Sequence, residues 1–395
     1  MEAKKYIQIS QPSMGQEEWE ACKIPIFSGW MTQGPQVAQF EKLFAEIHKV
    51  KHAIAVSNCT TALHLALVAA GVGPGDEVIV PAFTWVSTAN VILYCGAKPV
   101  FVDIDLNTFN IDVNKIEAAL TEKTKAIIPV HLFGLCADIE AIQSILSEFI
   151  RAHSGTSTIS VIEDGACASG AIYKGRPAGG LGDIGCFSFH PRKSVTTGEG
   201  GMLTTNDDVI AEHLNQLRNH GASISEEQRH KGAKPYILPD FKMVGYNYRM
   251  TDLQGAVGYV QLQKLRDFIY YRDHWAQFYA DQFAGIQLIK TPTIPNHYRH
   301  GWQSYVLLID ESKSPVSRND LMEYLQQEGI ATRPGTHAVH MLDYYAKTYH
   351  IKPEDFPNAQ TADQKSMAIP LHNLMVEEDF QYVVRKIKSV AILKN

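Results

Sequence analysis

A large α/β domain with a mostly parallel, doubly wound sheet, followed by a smaller α+β domain, is the architecture the sequence predicts. Three observations carry it. Over the first two-thirds, short β-rich apolar runs alternate with helix-like segments, the pattern of a parallel sheet with crossover helices on its faces. A long helical pattern from Tyr246 to Gly285 then reads as a connector. Beyond it, "HGWQSYVLLID", "RNDLMEYLQQEGIATRPG" and "EEDFQYVVRKIKSV" mix strand-like and amphipathic helical patterns. The boundary this predicts places residues 1–260 in the large domain and 261–395 in the small C-terminal domain. A chain of 395 residues can build both cores without staples.

The elements follow in chain order. "SNCTTALHLALVAAG" predicts a helix that stops at Gly71, and after a turn comes the strand Glu77 to Val80. "AKPVFVDID" is a strand. "NKIEAALTEKTKAIIPVHLFG" predicts a helix and then a strand. "ISVIEDG" is another strand, with Glu163 and Asp164 at its end. Cys186 to Phe189 is a strand running into a turn at Pro191, a lysine at 193, the loop Gly198-Glu199-Gly200-Gly201 and a further strand. In the connector, Thr251 and Gln254 have the spacing of an N-terminal capping box. No repeat, low-complexity tract or heptad seam stands out.

Bulk properties exclude some classes. Lys and Arg number 36 against 42 Asp and Glu, a formal net charge of -6, which argues against a nucleic-acid-binding face. Hydrophobic content of 45% and charged content of 20% are those of an ordinary soluble enzyme. No apolar run approaches the roughly 20 residues that span a bilayer, so no membrane insertion is expected. "MEAKKYIQIS" has no apolar h-region, and no signal peptide is expected. The six cysteines are scattered without a CxxC, which predicts reduced thiols, a cytoplasmic location and no metal site.

In doubly wound sheets, ligands gather at the carboxyl ends of the strands. Thr84-Trp85, His131, Glu163-Asp164 and the lysine loop all fall at such ends. A lysine nucleophile has an ordinary pKa of about 10.4. It must therefore be desolvated or bonded covalently to a carbonyl partner. Lys193 sits where glycines let a bulky ligand approach the backbone. Asp164 ends the strand Ile159 to Ile162, where a carboxylate wants a cationic partner, unless Glu163 or Asp164 caps a turn. Trp85 could stack on a ring or be a core aromatic. Thr60 and Thr61 open a helix whose N-terminus suits phosphate, or they serve as caps. Ser188 adds a hydroxyl on the same side. A lysine, a buried aspartate, a stacking aromatic and a phosphate nest are together what pyridoxal 5′-phosphate (PLP) requires.

Ordered motifs then run along nearly the whole chain: "SGWMTQGPQVAQFE", "SNCTTALHLAL", "GPGDEVIVPAFTWVSTAN", "GAKPVFVDID", "VHLFG", "VIEDGACASGA", "GDIGCFSFHPRKSVTTGEGG" and "GYNYRMTDLQGAVG". In these the chain resembles the DegT/StrS family of PLP-dependent sugar aminotransferases, on the type I aminotransferase fold. The resemblance implies that Lys193 bonds the cofactor and moves the substrate proton. It implies that Asp164 pairs with the pyridine nitrogen, that Trp85 stacks on the ring, and that Thr60, Thr61 and Ser188 hold the phosphate. It further implies that Asn247 reaches the phosphate of the partner subunit, which makes a homodimer with shared active sites.

The chain also departs from the family pattern. Cys59 stands where many members have Gly. Cys167 stands where many have Gln or His against the cofactor's phenolic oxygen, and a thiol is a weak hydrogen-bonder. "RPGTHAVH" replaces a His-Tyr segment near the sugar, which leaves His337 and His340 as substrate candidates beside ordinary structural readings. Arg249 could receive a carboxylate or phosphate, or form a structural ion pair.

The implied reaction moves an amino group from L-glutamate to a keto-sugar, by resemblance a nucleotide-linked 4-keto-6-deoxyhexose or 3-keto sugar. The product is an amino sugar for lipopolysaccharide or another surface polysaccharide. An 8-keto octulosonate and a keto-cyclitol are the alternatives. Dehydratases of the family carry histidine in place of the lysine, so Lys193 argues against that activity, although His190 is near. The acidic charge and the missing helix-turn-helix argue against a non-enzymatic regulator.

Overall fold

The alternating pattern folds into a seven-stranded sheet in a computed structural model that describes residues 6–153, 158–224, 236 and 238–392. Its strands are β1 (His52–Val56), β2 (Glu77–Pro81), β3 (Lys98–Val102), β4 (Thr124–Ile127), β5 (Ser160–Asp164), β6 (Ile184–Ser188) and β7 (Gly201–Thr205). The spatial order is β1-β7-β6-β5-β4-β2-β3. Neighbours from β3 to β6 are parallel, while β7 runs antiparallel to both β6 and β1. Every residue of β2, β6 and β7 is buried, as expected of strands covered on both faces.

Helix Cys59–Ala69 lies against this sheet. Ala62 through Leu67 are all buried, which explains why its sequence is apolar all round rather than on one stripe. Its start is fixed by a close approach. A Cβ on Gly201 would sit 2.4 Å from the carbonyl carbon and oxygen of Asn58, so only glycine lets β7 begin against the helix end. The register brings Val56 opposite Gly201, Gly201 opposite Ser188, and Cys186 opposite Asp164. The helix N-terminus and the ends of β5 and β6 are thereby gathered at one edge of the sheet.

Two expected helices take another form. The segment from Asn114 holds two 3₁₀ turns, Val113–Lys115 and Glu117–Ala119, instead of an α-helix. The chain must be extended again at Leu120 and enters β4 at Thr124, which leaves too few residues to offset helix nucleation. The connector is two helices, Asp252–Gln263 and Leu265–Phe283, joined at Lys264. Its first residues pair outside any helix: Asn247 bridges Asn219, and Arg249 bridges Val56. At the joint, Glu18 takes Lys264 Nζ at 2.7 Å and Gln261 Nε2 at 2.8 Å. The capping box of Thr251 and Gln254 is present.

The C-terminal layer has its own antiparallel sheet of β8 (Ile289–Lys290), β9 (Tyr305–Ile309) and β10 (Ser366–Ile369). Its core packs Tyr279, Phe283, Tyr305, Leu307, Met367 and Phe380. Ile7 bridges Ile330 and joins that core, so the N-terminus contributes to the layer the sequence assigns to residues 261–395.

Candidate active site

β5 delivers two adjacent carboxylates to opposite faces of the sheet, as strand alternation requires. Glu163 accepts from the amides of Gly179 (2.7 Å), Leu181 (2.8 Å) and Gly182 (2.7 Å) and from His131 Nε2 (2.9 Å). His131 Nδ1 accepts from the Ala137 amide at 3.1 Å, which puts the ring proton on Nε2. Burial opposes ionisation of Glu163 most strongly. The His131 contact and the amides of Gly182 and Gly179 together outweigh it and hold the carboxyl below its ordinary range.

Asp164 faces the other way and is less well served. It is 4% exposed. Oδ2 accepts from Thr88 Oγ1 at 2.8 Å and Oδ1 from the Ala166 amide at 3.1 Å. Burial pushes its pKa up, against the smaller opposing pulls of Thr88, Ala166 and the charge on Lys193.

The turn after β6 brings Lys193 over this carboxylate's side of the sheet. The loop is tied by the Lys193 amide to the His190 carbonyl (2.8 Å) and by Thr196 Oγ1 to the Phe189 carbonyl (2.8 Å). Gly198 turns it at φ +82, a conformation side chains disfavour. Arg272, fully buried, anchors the loop from the C-terminal layer. It donates to Ser194 Oγ at 3.4 Å, to the Trp302 carbonyl at 3.1 Å and to Asn373 Oδ1 at 2.8 Å. Burial lowers its pKa to about 10. Lys193 Nζ lies 3.3 Å from Cys167 Sγ. Burial works to lower the amine's pKa, but the Cys167 sulfur, with Cys59 and Asp164 behind it, more than compensates, and the net direction is upward.

At the helix end, Asn58 is the cap. Its Oδ1 accepts from the Thr61 amide at 2.9 Å, and Thr61 Oγ1 donates to the Asn58 carbonyl at 2.7 Å. Thr61 is thus engaged in the cap itself, which leaves the amides of Cys59 and Thr60 as donors at the open end of the helix. Ser188 Oγ, nearby on β6, accepts from the His190 amide at 3.4 Å.

These residues line one cavity of about 740 Å³. Lys193, Asp164 and Cys167 are in its wall, as are Thr60, Thr61 and Ser188, with Trp85 at the rim, 57% exposed. The remaining sequence candidates lie elsewhere. Asn247 is exposed outside this cavity. Arg249 donates from Nη1 to Asn219 Oδ1 at 2.7 Å and lines a separate groove beside Asp208 and Glu212. His337 is exposed, with its ring centroid 5.4 Å from that of Trp85. His340 is a core residue: it is fully buried, its ring stands 4.8 Å from Phe356, and Nε2 lies 3.3 Å from the Pro353 carbonyl. The cavity also takes in Arg192, Gln303, Ser304 and Arg333, which sequence reasoning left without a role. Thr88 was equally missed; its only signal was its place in "TWVSTAN", four residues after Thr84.

PLP presents a pyridine nitrogen, an aldehyde and a phosphate. The donor set fits all three. Asp164 is a buried carboxylate with acceptor capacity left for a protonated ring nitrogen, Lys193 supplies the amine, and the open helix end with Ser188 and Thr60 suits the phosphate. Among the described residues, no group of His, Cys, Asp and Glu is placed to hold a metal ion, and no helix is long and apolar enough to cross a membrane.

The DegT/DnrJ/EryC1/StrS aminotransferase family matches residues 12–388. The chain is 40% identical over 386 residues to the spore coat polysaccharide biosynthesis protein SpsC of Bacillus subtilis, covering 98% of this chain and 97% of that protein. It is 38% identical over 388 residues to the GDP-perosamine synthase of Caulobacter vibrioides, covering 98% of each. Among solved structures, the putative sugar aminotransferase Spr1654 of Streptococcus pneumoniae in its PLP form superposes with a TM-score of 0.90 at 29% identity, covering 98% of each chain.

Proposed function

This chain belongs to the DegT/DnrJ/EryC1/StrS aminotransferase family and is a PLP-dependent sugar aminotransferase, and from that premise we propose that it aminates a nucleotide-linked keto-deoxyhexose with L-glutamate as donor. The amino sugar then enters lipopolysaccharide or another surface polysaccharide. One observation carries the site reading: Lys193 Nζ, 3.3 Å from Cys167, shares a cavity with a buried aspartate that has capacity to spare. The names of two relatives, one a spore coat polysaccharide protein and one a GDP-perosamine synthase, support the substrate class.

In this reading Lys193 holds the cofactor covalently, and its amine, once released, carries the proton that leaves the donor's α-carbon. Bound PLP supplies an electron sink for the negative charge left on that carbon. Asp164 keeps the ring nitrogen protonated, and Thr88 aims the carboxylate. Trp85 at the rim would stack on the ring, Ser188 and Thr60 with the free amides of the helix end would hold the phosphate, and Cys167 would meet the ring's oxygen. Thr61, expected from the sequence to bind phosphate directly, instead uses both its donors in the Asn58 cap that shapes this end. Residues 1–260 carry these groups, and residues 261–395 close the cavity from above. His337, beside Trp85, is placed to meet the sugar. The enzyme works in the cytoplasm as a homodimer in which Asn247 of the partner subunit completes the phosphate site; its exposure outside its own cavity supports that role. All six cysteines are free, in keeping with a reducing compartment.

A panel of keto-sugars offered with L-glutamate, read by 2-oxoglutarate release, tests the substrate. Turnover with nucleotide-linked 4-keto-6-deoxyhexoses is expected. Turnover confined to octulosonates or cyclitols would contradict it. For the shared site, mixing the inactive variants Lys193→Ala and Asn247→Asp should restore activity on subunit exchange, since one site of each mixed dimer then carries neither defect.

A further inference from the structure

Two arginines line the cavity without a counter-ion among the described residues. Arg192 comes from the lysine loop and Arg333 from the C-terminal layer, and both line the cavity that holds Lys193 and Asp164. Their main chains are fixed independently. The Arg192 carbonyl accepts from Gln303 Nε2 at 3.0 Å. Arg333 exchanges two backbone hydrogen bonds with Ala368, at 3.3 and 2.7 Å. Neither guanidinium makes a hydrogen bond or ion pair with a described residue. Of the carboxylates in the cavity wall, Asp164 is engaged with Thr88 and Ala166, and Glu199 pairs with neither arginine. Partial desolvation, and then the charge of Arg333, lowers the pKa of Arg192, so the Arg192 guanidinium feels its neighbour across the cavity.

Like charges that line one cavity from two separate layers are an unfavourable arrangement until an anion joins them. Guanidinium forks match the planar oxygens of carboxylates and the oxygens of phosphates, commonly through two parallel hydrogen bonds. We propose that Arg192 and Arg333 form a two-guanidinium clamp that binds an oxyanion carried by a substrate, either the carboxylate of the amino donor or the diphosphate of a nucleotide-linked acceptor. The clamp rests on the aminotransferase reading, in which donor and acceptor occupy one cavity in turn. Because the arginines come from different layers, a bound oxyanion also ties the C-terminal layer to the lysine loop.

The test uses holoenzyme and two unreactive probes, glutarate and inorganic pyrophosphate, with binding measured by calorimetry. Wild type should bind at least one of them. Arg192→Gln and Arg333→Gln should each weaken that probe about tenfold, the size of one lost charge-assisted contact, and the double variant should weaken it further. Loss confined to glutarate assigns the clamp to the donor carboxylate, and loss confined to pyrophosphate assigns it to the acceptor. Both side chains are exposed, so the variants should keep the cofactor absorbance and melting temperature of wild type. Failure of wild type to bind either probe would overturn the clamp, as would a double variant that binds both within twofold of wild type. Neither result depends on which keto-sugar the enzyme accepts, so the substrate reading stands or falls separately.

Discussion

Glu163 and Asp164 are chain neighbours at the end of the same strand, and they lead opposite lives. Glu163 accepts from four donors, which about fills the lone-pair sites of a carboxylate. Asp164 accepts from two and faces a cavity. The first arrangement is closed and holds the 179–182 turn to the sheet. The second is open, with acceptor capacity that the proposed reading fills with the ring nitrogen. Burial alone does not separate the two carboxylates, since both are buried; what separates them is how much acceptor capacity the protein has left unfilled.

The largest effect expected on the open side is at Lys193. Lys193→Ala should lose at least about 10³-fold in turnover, because in the proposed reading the variant lacks both the covalent anchor and the proton carrier. Its melting temperature should stay near wild type. Asp164→Asn comes next, with activity falling about 10²-fold or more, since an amide cannot keep a ring nitrogen protonated. Stability of that variant without cofactor should be equal or higher, because an under-compensated buried charge is gone. Near-wild-type turnover would make Asp164 a turn residue like its neighbour. On the closed side the effect should reverse. Glu163→Gln should cost about 1–3 kcal/mol in denaturant unfolding, because the new amide NH2 must face buried donors that the carboxylate now accepts from.

The two carboxylates should also differ in pH dependence. The folded pKa of Glu163 is depressed, so its contribution to stability is full above about 4.3 and is lost as pH falls through the lower folded value. The folded pKa of Asp164 is raised, so its ionisation penalty is absent below about 3.9 and grows as pH rises to the folded value. Without cofactor, the stability gap between Asp164→Asn and wild type should therefore close in acid, and the gap between Glu163→Gln and wild type should also narrow there, from the opposite sign. Parallel pH profiles for the two variants would remove the distinction.

The smallest effect belongs to Cys167. Cys167→Ser keeps a donor and acceptor beside Lys193 and should change turnover by less than about tenfold, while altering the pH at which the bound cofactor's absorbance titrates. An unchanged titration would mean that the sulfur does not act on the lysine.

Much of this arrangement was legible in the sequence because it is local. Lys193 between a strand and a glycine loop, Asp164 at the end of an apolar strand, and Thr60 and Thr61 at a helix start are all readable from a few neighbouring residues. What was not legible depends on distant partners. Asp164 is oriented by Thr88, 76 residues earlier. The helix joint at Lys264 involves Glu18, 246 residues away. The turns at Val113–Lys115 and Glu117–Ala119 carry a helical pattern that the demands of the next strand overrule. Arg333 lines the same cavity as Arg192 only because the C-terminal layer packs beside the lysine loop. His340 shows the converse: a motif position near the site in sequence that packs into the core instead.

The central claim is that the open side of β5 is where the cofactor is held, with Lys193 as its anchor. Reduction of holoenzyme with sodium borohydride, followed by digestion and mass mapping, tests it most directly. The expected result is one reduced cofactor per chain, on the peptide that contains Lys193, absent in Lys193→Ala. A label on any other lysine, or an unchanged yield in Lys193→Ala, would contradict it.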